Sequence, residues 1–162
     1  MIQGWFGRKT TQYSDFIKAL LADDVDYMNQ YMNQIALKTF SSFDSGKKPS
    51  ELSEPERFYH GFVLGLMIDL ADRYQIKSNR ESGFGRYDVM LEPLEGGQPA
   101  YVLEFKVRNT RREKNLEETV REALRQIDER DYDAELTCKG IPKEKIRHYG
   151  FAFEGKMVLI GK

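Results

Sequence analysis

Residues 86–107 read RYDVMLEPLEGGQPAYVLEFKV, and the organisation of the whole chain follows from them. Tyr87–Leu91 and Tyr101–Val107 are rich in strand-forming residues, and the stretch from Pro93 to Pro99 between them has the character of a turn, so the two segments are expected to pair as a hairpin. Period two places Glu104 and Lys106 on one face of the second strand, while Asp88 stands within the first. Charges inside an apolar strand cost free energy unless they are paired, metal-bound or wet. One reading is an edge strand with a solvated face and an ordinary salt bridge. The other brings Asp88 and Glu104 together across the hairpin, where their oxygens ligate a hard divalent cation such as Mg²⁺. Lys106 would then orient or activate an attacking water, and the metal would lower that water's pKa and offset charge on a scissile phosphate.

N-terminal to this hairpin, Ser53 to Glu56 (SEPE) offers a capping box with Pro55 in the first turn. Phe58, Phe62, Leu66 and Leu70 then recur every four residues, which predicts a helix to about Tyr74. Tyr74–Lys77 reads as a strand, and Gly83 and Gly85 as a turn leading into the hairpin. Beyond it, Leu116, Val120, Leu124 and Ile127 mark a second amphipathic helix, and Tyr149–Phe153 and Met157–Ile160 flank Glu154-Gly155 as a last hairpin. The expected order is α-β-β-β-α-β-β, an α/β domain with a mixed central sheet flanked by helices. Ahead of it, residues 14–40 predict two helices, the second capped by Asp23 or Asp24, and Ser41–Ser53 reads as a loop. The division expected is a helical extension and linker over 1–50 and the α/β domain over 51–162.

The chain has 162 residues, about the size of one domain, and 40% of them are hydrophobic, enough for a genuine core. A formal net charge of −1 gives no global positive field, so nucleic acid would have to be held by a local patch, weakly or with a partner's help. The one cysteine, Cys138, can form neither an intramolecular disulfide nor a cysteine metal cluster, which fits a reduced, intracellular setting. There is no secretory signal pattern and no apolar run of roughly 18 residues, so the expectation is a soluble cytoplasmic protein without a membrane partner.

GRYDVMLE, YVLEFKV and ALRQIDERDY together resemble the D…(D/E)-x-K…Q pattern of the PD-(D/E)XK nuclease superfamily. With FYHGFVLGLM and SNRESGFGRYDV added, the chain looks like the nuclease-like domain often found C-terminal to an AAA-type ATPase-like domain, over roughly residues 54–160. The resemblance implies a restriction-endonuclease-like core, with Mg²⁺ (Mn²⁺ as substitute) held by Asp88 and Glu104, and Lys106 beside them. Tyr87 stands where the superfamily often has proline. Gln126 matches a glutamine that contributes to the site in many relatives; read without them, it is a surface amide. The function implied is metal-dependent hydrolysis of phosphodiester bonds, with DNA as the expected substrate. The alternative is a catalytically silent nucleic-acid-binding or regulatory module partnering an AAA-type ATPase domain. On either reading the resemblance implies a possible AAA-type ATPase domain in the same or a partner chain, residues 1–50 then being the tail of an ATPase-side region. No G-x-x-x-x-G-K-[ST] motif occurs in the sequence.

Supporting candidates surround this core. Glu56 and His60 share a helical face from which either could approach a metal, against a capping role for Glu56 and a structural hydrogen bond for His60. Glu81 and Arg86 flank the Gly83–Gly85 turn, as metal-side and phosphate-side residues or as surface charges. Tyr132 reads as a packing aromatic. Arg108, Arg111, Arg112 and Lys114 directly follow the central strand, where a basic loop could hold phosphates without regard to sequence. Lys139, Lys143, Lys145 and Arg147 form a second, weaker cluster. The N-terminal helices, with Met28 and Met32, read either as an interaction surface or as packing on this domain's own sheet.

Overall fold

The strand segments pair into one five-stranded sheet in the computed structural model of the chain, which describes residues 13–40, 54–81 and 86–162, with side chains for 13–38, 58–78 and 88–162. Strands β1 (Tyr74–Glu81), β2 (Arg86–Pro93), β3 (Ala100–Val107), β4 (Ile146–Glu154) and β5 (Met157–Gly161) lie side by side in chain order. Neighbours are antiparallel except β3 and β4, which are parallel. A parallel pair needs a long crossover, and α4 (Leu116–Glu129) with α5 (Tyr132–Cys138) supplies it. The mixed sheet flanked by helices that the sequence predicts is therefore present, consistent with a restriction-endonuclease-like core.

Alternation along the strands sorts side chains into two layers. Val89 and Leu91 of β2, Tyr101, Leu103 and Phe105 of β3, and Tyr149, Phe151 and Phe153 of β4 face one way. They form the main core with α1 (Asp15–Leu21), α2 (Val25–Phe40) and α3 (Glu54–Met67), through Phe16, Leu20, Met28, Met32, Tyr59 and Val63. Met90, Ala100 and Val102 face the other way, against Ile127 of α4 and Leu136 of α5. Helix α4 lies close over β4 because Gly150 has no side chain: a methyl group there would stand 2.9 Å from the Val120 carbonyl oxygen.

The N-terminal helices thus pack on the sheet of the same core. Asn29 and Asn33, one turn apart on α2, also seal the β5 edge. The Asn29 amide accepts from Ile160 N–H at 2.7 Å and donates to Ile160 C=O at 2.9 Å, and Asn33 does the same for Val158 at 3.0 and 2.8 Å. An edge strand so satisfied cannot template further pairing. Asp24 accepts from Tyr27 N–H and caps α2, whereas Asp23 adopts φ +57° and receives the Tyr149 hydroxyl at 2.5 Å.

Two sequence expectations need correction. The helix expected to run to Tyr74 ends at Met67, followed by a 3₁₀ turn over Ile68–Leu70. The tighter turn still keeps Leu70 fully buried, so the apolar spacing continues past the true end of the helix. Helix α5 was not expected, although Tyr132 and Leu136 are four residues apart and Gly140, at φ +88°, follows its end. The expected loop over residues 41–53, the Ser53 cap, and the turn glycines Gly83 and Gly85 lie outside the described residues. No helix among the described residues is long and apolar enough to cross a membrane.

Candidate active site

Asp88 of β2 and Glu104 of β3 are direct cross-strand partners in the hairpin register. Side chains so paired leave the sheet on one face with Cβ atoms about 4.5–5.5 Å apart. Both lie on the α4–α5 side and both are buried, Asp88 at 3% and Glu104 at 0% exposure. Buried carboxylates at this spacing demand cations, and the chain supplies one. Arg130, the residue that caps the end of α4, places Nη1 2.8 Å from Asp88 Oδ2 and 2.9 Å from the Tyr132 hydroxyl. Tyr132 donates to the same Asp88 oxygen.

The charge states follow from these contacts. Burial, reinforced by the hydrogen bond to Asp88, pushes the Tyr132 phenol up to about 12, so it remains a donor at ordinary pH. Burial alone would lower the Arg130 guanidinium, but the Tyr132 hydroxyl and the Glu104 and Asp88 carboxylates outweigh it and raise it.

Lys106 follows Glu104 by two residues and so leaves the strand on the same face. Its ammonium lies 3.6 Å from Glu113 and 3.4 Å from Glu122, with 22% of the side chain exposed. Both partners are themselves fixed. Glu113 accepts from Thr119 Oγ1 at 2.7 Å and from Asn109 N–H at 2.8 Å. Hydrogen bonds from Arg125 hold the Glu122 carboxyl down at about 2, against the opposing effect of burial, with Lys106 adding to the shift.

Helix α4 organises the group through its period: Glu122, Gln126 and Arg130 are spaced by four and share one face. Glu122 serves Lys106, Arg130 serves Asp88, and Gln126 lies between them, its amide 3.4 Å from Glu122 Oε1. The bend between α4 and α5 is braced from β4, where His148 stands 2.7 Å from Asp133 and 3.6 Å from Asp128. Asp131 at the bend adopts φ +53°. Beside Lys106 opens a cleft of about 540 Å³ whose walls include Asn109, Arg112, Arg121 and Arg125.

Other sequence candidates fall elsewhere. His60 accepts or donates a 3.0 Å hydrogen bond with Ser78 and stands edge-on to Phe105. Phe105 belongs to the main core, across the sheet from Glu104, so His60 is not brought to the carboxylate pair. The side chains of Glu56, Glu81 and Arg86 lie outside those described, although the backbones of Glu81 and Arg86 pair at the end of the β1–β2 hairpin. Arg108 is turned inward: it grips Glu154 at 2.7 Å through both carboxylate oxygens and donates to the carbonyls of Glu113 and Lys114. Arg111, Arg112 and Lys114 are exposed. The second basic cluster is dispersed, with Lys139 paired to Glu92 and Glu135, Lys145 bonded to Gly97 C=O, and Arg147 over the Tyr101 ring.

Sequence reasoning missed Arg130, Glu113 and Glu122; Tyr132 packs on the second core as expected, but its hydroxyl contact with Asp88 was not foreseen. The spacing from Gln126 to Arg130 was available as a signal. That Tyr132 returns to Asp88 was not, because it depends on the bend before α5.

A family model described as PD-(D/E)XK nuclease superfamily matches residues 54–162. No curated protein and no solved structure matches the chain.

Proposed function

Because this chain belongs to the PD-(D/E)XK nuclease superfamily, we propose that it is a divalent-metal-dependent nuclease that hydrolyses phosphodiester bonds in DNA. The observation that carries the reading is the meeting of two buried carboxylates, Asp88 and Glu104, in direct register with Lys106 on the same face. Their donor chemistry fits a hard cation: two carboxylate groups, with water and substrate oxygens completing the shell, is the pattern Mg²⁺ favours. Asp88 and Glu104 would be its protein ligands, since they are buried direct partners across the hairpin. A divalent ion held by Asp88 and Glu104 would supply Lewis acidity and ease deprotonation of water.

The remaining roles belong to the chain's own residues. Lys106 Nζ, fixed between Glu113 and Glu122, donates to the attacking water and offsets charge developing on the phosphate. Gln126 offers a neutral amide between Lys106's partner and Asp88's partner, suited to orienting a phosphate or water. Arg130 and Tyr132 keep the Asp88 carboxylate in one orientation. Exposed Arg111, Arg112 and Lys114 beside the site give a sequence-independent hold on the backbone.

The test is a Mg²⁺/Mn²⁺ cleavage assay on single- and double-stranded DNA and on RNA, with Asp88→Asn, Glu104→Gln and Lys106→Met beside the wild type. Each variant should lose at least about 100-fold in rate, the scale of losing one transition-state contact. A wild type inert on every substrate, yet able to bind DNA, would instead favour the silent module serving an AAA-type ATPase domain. Full activity in Lys106→Met would remove lysine from the mechanism.

A further inference from the structure

Arg130 sets a cation against one carboxylate oxygen of Asp88, the residue that would help hold the metal. The guanidinium is 2.8 Å from Asp88 Oδ2, its side chain is 19% exposed, and the Tyr132 hydroxyl holds both partners. The backbone that carries it is fixed. Arg130 ends α4, Asp131 turns the chain at φ +53°, and His148 on β4 ties Asp128 before the bend to Asp133 after it.

We propose that Arg130, fixed by Tyr132, is a positioning residue that makes divalent-ion binding at Asp88 and Glu104 depend on the phosphate of the nucleic acid, an inference that rests on the nuclease reading above. A dication entering beside Asp88 meets a like charge already in contact with that carboxylate, and the repulsion is strong where burial keeps the local dielectric low. A phosphodiester anion lying against both cations adds two attractions that outweigh the repulsion. The carboxylate pair therefore takes the ion poorly by itself and well in the presence of substrate. By linkage the same factor tightens nucleic acid when the ion is present. The arrangement confines loading of the hydrolytic site to protein already engaged with DNA.

Calorimetric titration of Mn²⁺ into the full chain, with and without DNA whose linkages are hydrolysis-resistant N3′→P5′ phosphoramidates that keep the charge and both non-bridging oxygens, tests it. In the wild type Mn²⁺ should bind about ten-fold or more tightly with the DNA present than without it. Arg130→Gln should bind Mn²⁺ alone about ten-fold or more tightly than the wild type and lose most of the coupling, while Arg130→Lys, which keeps the charge, should keep both the weak binding and the coupling. A residue that served folding alone would not produce this split between lysine and glutamine. Equal Mn²⁺ affinity with and without DNA in the wild type overturns the proposal and needs no variant to fold. Should the wild type still cleave DNA under Mn²⁺ in that case, the nuclease reading survives and only the coupling falls. A wild type that takes up no Mn²⁺ under either condition defeats both.

Discussion

Gly150→Ala tests whether close approach of α4 to β4 is what assembles the site. Gly150 pairs with Glu104 in the parallel register and lies at the midpoint of β4, an interior strand. A methyl group there would stand 2.9 Å from the Val120 carbonyl oxygen, 3.2 Å from Ala123 Cβ and 3.4 Å from Leu124 Cγ. The first contact is to helix backbone, which has no rotamer to change, so α4 must move outward by a few tenths of an ångström. Overpacking of this kind costs about 1–3 kcal/mol. For a chain of this size that lowers Tm by ~2–4 °C per kcal/mol, or roughly 2–12 °C in all. Because α4 carries Glu122, Gln126 and the residue leading to Asp88, cleavage should fall at temperatures where the variant is still fully folded. Gly65→Ala is the control. A methyl on that exposed helical position meets nothing within 4 Å, and alanine there should stabilise by about 0.5–1 kcal/mol. Calorimetric melts and cleavage rates measured well below both transitions read the two effects separately. A Gly150→Ala protein that melts with the wild type and cleaves as fast would refute the close-packing account.

Other outcomes follow from contacts described above. Asn33→Ala removes the two hydrogen bonds that satisfy Val158 and should cost about 1–3 kcal/mol, with faster hydrogen exchange at Val158 N–H; unchanged exchange would mean that α2 does not seal the edge. Arg108→Ala should lower Tm because it frees Glu154 and the loop carbonyls, yet leave the salt dependence of DNA binding unchanged. Arg111→Gln with Arg112→Gln should do the reverse, reducing the slope of log affinity against log salt by about 1–2. The Glu122 carboxyl is held below its ordinary 4.5 at about 2 in the folded chain, so the stability it contributes is present above pH 4.5 and lost as pH falls from there through about 2. Unfolding measured across that window should show a shallower acid loss in Glu122→Gln, and an identical pH profile would argue against the Arg125 and Lys106 contacts.

Much of this was legible in the sequence because it depends on local period and composition. The hairpin of β2 and β3, the helix from Leu116 and the last hairpin each carry their own apolar pattern and turn. Once that hairpin is placed, Asp88, Glu104 and Lys106 fall on known faces. His60 shows the limit of such reasoning: helical spacing put it on a face with Glu56, but only the sheet's layering reveals that this helix covers the surface opposite the carboxylates. Arg108 shows another, since a basic residue after a strand looks available for phosphate until Glu154, 46 residues later, is found to hold it.

By itself, then, the sequence determined the strands, the main helices and the three charged residues at the centre, because backbone period and the cost of burying charge act over a few neighbouring residues. Only the tertiary structure decided which cations and hydroxyls answer those charges. Arg130 and Tyr132 reach Asp88 across more than 40 positions of chain, and Asn29 and Asn33 reach the β5 edge across more than 120. Such partners are selected by how two layers close over one sheet, and no local pattern in the chain encodes that closure.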